Sequence, residues 1–144
     1  MIKKLIIASA AVFLAIGGTG PARAGEKTPE QMVKEAKAAI LEVSIYDVKK
    51  MIDAQDKVVI LDVRDKNELG DGRVPGAINI SRGMLEFKVG MMVPDKNARI
   101  VVYCGLDLRG PLATRTLNEL GYVHAVNMAG GLKAWKAAGY PLAK

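Results

Sequence analysis

The sequence predicts an α/β protein, a parallel sheet with helices on both faces, and three observations carry that expectation. Val58–Val63 (VVILDV) and Ala98–Cys104 (ARIVVYC) are short, nearly continuous apolar runs, the pattern of strands buried on both sides. Segments with helical periodicity lie before, between and after them. Strands that alternate with helices are joined most economically as parallel neighbours with crossover helices packed on the sheet.

Taken in order, the chain opens with MIKKLIIASAAVFLAIGGTGPARA. Lys3 and Lys4 form a basic start, Leu5 to Ile16 an apolar stretch, and Ala22-Arg23-Ala24 an A-x-A cleavage signal, so residues 1–24 are expected to be a secretory signal peptide. The apolar stretch is shorter than the ~20 residues that span a bilayer. The expected location is therefore periplasmic or secreted. Cleavage would remove three cationic residues and no acid, taking the formal charge from +6 to +3 and leaving 120 residues, one domain of ordinary size. Without a basic cluster interleaved with aromatics, that charge supports weak attraction to small anions and gives no case for nucleic acid.

Residues 25–43 read as an N-terminal helical lead, and residues 44–144 as the main domain. Thr28-Pro29-Glu30-Gln31 supplies an N-cap, a proline at the first helical position and a capping-box glutamine, and PEQMVKEAKAAIL continues with helical spacing. Ser44 and Asp47 repeat the signal before IYDVKKMIDA. After the first strand come a loop containing GDGRVPGA, a short strand AINI at residues 77–80, and a helical piece RGMLEFKV at residues 82–89. Beyond the second strand, Gly110 to Leu120 carries a helical apolar face and stops at Gly121, a C-terminal glycine. HAVNM then reads as a strand and GLKAWKAAG as a closing helix.

Cys104 is the only cysteine of the chain. An oxidising compartment favours paired cysteines, so a lone one is a buried apolar residue, a partner in an intermolecular disulfide, or a reactive thiol. Its position favours the reactive thiol over the buried one. Ligand sites in open α/β sheets gather at the carboxyl ends of strands, and Cys104 ends one. The turn that follows enters a helix near Gly110, whose unpaired N–H groups and dipole favour negative charge. The thiolate is the nucleophilic form of cysteine, and Arg109 adds a positive charge five residues on.

These residues resemble the rhodanese-homology family, and within it the small single-domain exported sulfurtransferases. LDVRDKNELGDGRVPGAINI resembles the first signature, through Asp62, Arg64, Glu68, Pro75, Gly76 and Ala77. VVYCGLDLRG resembles the strand and active-site loop, and NMAGGLKAWKAAGYPL the closing signature, with Gly130, Gly131 and Trp135. The resemblance implies that Cys104 takes sulfane sulfur from thiosulfate or a persulfide donor, becomes a persulfide, and passes the sulfur to cyanide, a small thiol or a protein acceptor. It further implies substrate-binding positions at Gly105, Leu106, Asp107, Leu108 and Arg109, whose backbone amides would cradle the anion. No cofactor is implied. The alternative of a different class is a non-catalytic module that binds sulfane sulfur and delivers it to a partner protein.

The chain departs from the family at two positions: Asp107 stands where a glycine is usual, and Arg73 where a histidine is usual. A carboxylate at residue 107 is expected to repel a dianionic donor, unless it turns outward from a left-handed backbone or pairs with Arg109 or Arg73. Asp62 and Arg64 are expected to hold the loop framework as a hydrogen-bonded pair, with Arg73 in support. A phosphatase loop of the C-x5-R kind needs one more residue before the arginine than this C-x4-R provides. His124, the only histidine, reads as a solvated edge residue, so no metal cluster is expected. Trp135 and the Gly130-Gly131 pair read as packing and turn geometry, and Met84, Met91 and Met92 as core or gap-filling residues.

Overall fold

The computed structural model describes residues 25–144; the signal peptide expected at residues 1–24 lies outside the described residues. Strands β1 (Glu42–Val43), β2 (Val59–Asp62), β3 (Ile78–Asn79), β4 (Ile100–Tyr103) and β5 (Ala125–Met128) form one parallel sheet in the order β1-β5-β4-β2-β3. Helices α1 (Pro29–Ala39), α2 (Ile45–Asp53), α3 (Leu85–Met92), α4 (Arg109–Glu119) and α5 (Gly131–Ala137) connect or flank them, and Lys66–Asp71 and Arg82–Met84 are 3-10 turns.

Alternation along the central strands divides the core in two. Ile100, Val102 and Cys104 join Leu61 and Val63 in a cluster with Leu85 and Val89 of α3 and Ala113 and Leu117 of α4. Val101 and Tyr103 point the other way, with Ile60, into a cluster with Val48 of α2 and Leu132 and Trp135 of α5. Successive residues of a strand face opposite sides, so a strand covered by helices on both sides has to be apolar at every position. This explains the uninterrupted runs in the sequence.

The strand order also fixes where a site can form. After β2 the chain moves to β3 on one side, and after β4 it moves to β5 on the other, so the connections diverge between these central neighbours. A crevice opens at such a switch point. Cys104 lies directly beyond β4, at its rim.

The lead at residues 25–43 is built into the fold. Thr28 Oγ1 accepts the Gln31 N–H at 3.2 Å and Gln31 Oε1 accepts the Thr28 N–H at 2.8 Å, which completes the capping box of α1. The helix packs along α4, and β1 adds an edge strand on β5. Two residues of strand are too short to show a period, so β1 left no signal in the sequence.

The methionine expectation is corrected. Met84, Met91 and Met92 are 41%, 75% and 46% exposed, whereas α3 buries Leu85 and Val89, one helical turn apart. An α3 that is apolar on most sides gave periodicity nothing with which to choose its inward face. His124 is exposed at the edge of β5, and no helix among the described residues is long and apolar enough to cross a membrane.

Candidate functional site

The loop Cys104–Leu108 joins β4 to α4, and its shape is imposed from several directions. Leu132 N–H donates to the Cys104 carbonyl at 2.8 Å and Lys133 N–H to the Gly105 carbonyl at 3.0 Å, so the first turn of α5 holds the loop's oxygens. Among the described residues, no backbone N–H from Gly105 to Arg109 has a hydrogen-bond partner within the chain. Five adjacent donors are thus left unpaired at the start of an 11-residue helix, a setting that favours a bound anion. Cys104 itself retains 1% of its surface.

Beside the loop lies a cleft of about 330 Å³ lined by Arg64, Glu68, Asp71, Gly105, Leu106, Leu132, Lys133 and Lys136. Of its charged lining residues Arg64 and Glu68 are paired, whereas Asp71, Lys133 and Lys136 are exposed and form no ion pair among the described residues. Arg109 Nη1 donates to Glu68 Oε2 at 2.6 Å and Nη2 to Glu68 Oε1 at 2.7 Å, a bidentate fork, with Asp65 Oδ2 at 3.5 Å. Hydrogen bonding from Arg109 brings the Glu68 carboxyl down to about 2, and the same bonds raise the guanidinium further above its ordinary value. Gly105 lies over this pair: a Cβ there would stand 3.8 Å from Glu68 Oε1 and 3.9 Å from Arg109 Nη2.

A buried polar frame anchors the wall. Asp62 accepts the Arg64 backbone N–H at 3.0 Å, Arg64 Nε at 3.0 Å, Arg64 Nη2 at 2.7 Å and the Tyr103 hydroxyl at 2.7 Å. Arg64 also donates to the carbonyls of Glu68 and Gly72, both at 2.9 Å, tying the 3-10 turn that carries Glu68 to the end of β2. Burial, reinforced by Asp62, raises the Tyr103 hydroxyl above its ordinary range, so it acts as a donor. A carboxylate with four donors, fully buried beside its cation, is a compensated charge.

Asp107 has φ of 62°, the left-handed region, where glycine stands in the family pattern. Its carboxylate is directed away from the cleft: Oδ2 accepts Lys37 Nζ of α1 at 2.5 Å and Oδ1 accepts Asn127 Nδ2 of β5 at 2.8 Å. The charge is therefore balanced, by Lys37 and by neither Arg109 nor Arg73. Asn127 donates also to Glu42 Oε1 at 2.7 Å, and this double donation to carboxylates fixes which end of its amide is nitrogen.

The structure thus gathers Cys104, Gly105, Leu106, Leu108 and Arg109 at one strand end, with Asp62 and Arg64 beneath. Arg73 is not part of this group, which corrects its expected supporting role. Its backbone pairs with Ala143 and its guanidinium donates to the Lys144 carbonyl at 3.0 Å, because the chain end runs antiparallel beside it. Sequence reasoning missed Lys37 and Asn127. Only Asn127 left a trace, as a polar residue inside the apolar strand HAVNM.

A parallel α/β sheet that presents a cysteine from its central strand into a loop of free amides defines a class of anion-handling proteins. Within that class the chain belongs to the rhodanese-like domain family, whose model matches residues 44–138. The putative sulfur carrier protein YrkF of Bacillus subtilis is 28% identical over 101 residues, covering 70% of this chain and 54% of YrkF. The thiosulfate sulfurtransferase PspE of Escherichia coli is 40% identical over 73 residues, 51% of this chain and 69% of PspE. Among solved structures, RPA3614 of Rhodopseudomonas palustris, described as a protein of unknown function and possible tyrosine phosphatase, has a TM-score of 0.77 at 29% identity. It covers 86% of this chain and 100% of its own. A phosphatase loop needs its arginine for phosphate; here Arg109 is engaged by Glu68.

Proposed function

We propose that the protein is a sulfurtransferase in which Cys104 carries the sulfur as a persulfide. The reading rests above all on one observation, the run of unpaired N–H groups from Gly105 to Arg109 directly after the strand-end cysteine. In the first step the Cys104 thiolate attacks the outer sulfur of thiosulfate, a new S–S bond forms, and sulfite leaves with the electron pair of the broken one. In the second, cyanide or a thiolate attacks the terminal sulfur, thiocyanate or a new persulfide departs, and the thiolate is restored. Atoms and charge balance in both steps, and no second cysteine is required. The amides stabilise the negative charge on the sulfur throughout. An exported, periplasmic location accompanies this proposal, on the strength of the N-terminal cleavage signal.

Mass spectrometry after treatment with thiosulfate or polysulfide tests the reading: one added sulfur atom on Cys104 is expected, and none in Cys104→Ser. An unmodified wild type would refute it. The burial of Cys104 and the similarity to YrkF, described as a putative sulfur carrier protein, favour one second reading, a module that holds sulfane sulfur for a partner protein. Steady-state turnover with several acceptors separates the two, since a delivery module loads but does not cycle.

A further inference from the structure

A residue in the left-handed region is normally explained locally: glycine has no Cβ to clash, and Asn or Asp can bond its own neighbourhood. Asp107 does neither. Its two side-chain bonds reach Lys37, 70 residues back, and Asn127, 20 residues on. The turn at the centre of the sulfur-accepting loop is therefore held by α1 and β5, outside the loop itself.

The network is tightly built. The Asp107 side chain is 13% exposed and Lys37 35%, and Lys37 also meets Glu42 Oε1 at 3.4 Å. Bonding to Asp107 raises the Lys37 ammonium above its ordinary value, so it is charged throughout the physiological range. Asn127 is fully buried and sits so close behind the loop that a Cβ on Gly110 would lie 2.4 Å from its Oδ1. None of Lys37, Glu42, Asp107 or Asn127 lines the cleft beside Gly105. Lys37 is the one cation of the group, set against two carboxylates.

On the sulfur-transfer reading given above, we propose that Lys37 is a positioning residue for the sulfur-accepting loop: it holds the Asp107 carboxylate on the α1 side and neutralises it, so that an aspartate can occupy a glycine's place beside an anion site. Without Lys37 the carboxylate is released from α1, its charge acts on whatever approaches Cys104, and the left-handed turn loses one of its two anchors. Beyond the direct effect of the Lys37 charge, the dependence runs through Asp107, the nearer of the two carboxylates that Lys37 meets, and this separates positioning from a general role in docking α1.

The test uses the folded full-length mature chain and two alkylating reagents that differ by one charge, iodoacetamide and iodoacetate. Their rate ratio at Cys104 reads the local potential and does not depend on turnover. Lys37→Met is expected to lower the iodoacetate:iodoacetamide ratio about five-fold, the scale of one uncompensated charge near a protein surface. Thiosulfate loading should fall in parallel. Lys37→Arg should restore both. In an Asp107→Gly background only the direct loss of the Lys37 charge remains, so Lys37→Met should lower both by a clearly smaller factor than in the wild type. An equal effect of Lys37→Met with and without Asp107 would reduce Lys37 to a docking contact and overturn the proposal, as would no effect in either background. If folded wild-type protein cannot be alkylated at Cys104 by either reagent, the sulfur-transfer reading falls and this inference falls with it; alkylation with an unchanged ratio removes the inference alone.

Discussion

Gly131→Ala adds a single methyl group at the point where α5 meets the loop. Gly131 has φ of 59°, and a Cβ there would lie 2.6 Å from the Cys104 carbonyl oxygen, 3.0 Å from Asp107 N and 3.1 Å from the Gly105 carbonyl oxygen. All three are backbone atoms, so no side-chain rotation relieves the collision. A left-handed L-residue costs about 1–2 kcal/mol by itself. Overpacking against fixed atoms adds about 1–3 kcal/mol. Moving apart would strain the Leu132 and Lys133 N–H bonds to Cys104 and Gly105, each contributing about 0.5–1.5 kcal/mol. A loss of about 3–5 kcal/mol is expected, a large share of a typical domain's stability. Gly121→Ala is the control, because Gly121 has φ of 92° with nothing within 4 Å of its Cβ position, so it isolates the conformational cost. Urea unfolding of both variants, with thiosulfate loading of Cys104 measured below the transition, is the assay. Equal destabilisation by the two substitutions would refute the argument that α5 and the loop are in backbone contact.

Three further outcomes follow from the same geometry. Asp62→Asn leaves Arg64 as a buried cation without its counter-charge and should cost about 3–5 kcal/mol, read as a fall in Tm of roughly 10 °C or more, while loading of Cys104 persists in the cold where the variant is folded. Hydrogen bonding from Arg109 holds the Glu68 carboxyl at about 2 in the folded protein, below its ordinary 4.5, so its stabilising contribution is complete above 4.5 and is lost as pH falls towards 2. With both partners about one-third exposed this amounts to about 1 kcal/mol, and Glu68→Gln should remove that part of the acid dependence in denaturation at pH 5 and pH 2.5. Arg109→Ala strips Glu68 of its partner beside Gly105 and should slow thiosulfate loading about tenfold, with most of the rate restored by adding Glu68→Gln; an unchanged rate would mean that Arg109 serves the scaffold alone.

The sequence made the central strands and the helix starts legible because each is written locally. Val58–Val63 and Ala98–Cys104 contain β2 and β4, and the caps at Thr28 and Ser44 form the bonds their spacing predicts. Cys104, Arg109 and the Asp62–Arg64 pair were legible too, as parts of ordered signatures around a strand end. What escaped depends on contacts between distant segments. Nothing near Lys37 marks it as the partner of Asp107, since residues 70 apart meet only after α1 packs on α4. The exposure of Met84, Met91 and Met92 escaped for a different reason, an α3 too uniformly apolar to declare a face. Arg73 was misjudged because its support of the loop was inferred from its place in the first signature, while the chain end captures it in space.

The burial of Cys104 bears on the chemistry proposed for it. A thiol with 1% of its surface exposed is poorly placed to meet another protein's cysteine. In a persulfide the transferable atom is the outer sulfur, about 2 Å beyond Sγ. The acceptor therefore need not reach Sγ at all. Gly105, with no side chain over the Glu68–Arg109 pair, leaves room on the cleft side, while the unpaired amides give the added sulfur's charge its donors. A loop built this way screens the resting thiol more than the loaded one. That difference favours delivery of sulfur over the formation of mixed disulfides, and it makes the loop's backbone, held by α1, β5 and α5, the element on which the proposed chemistry depends.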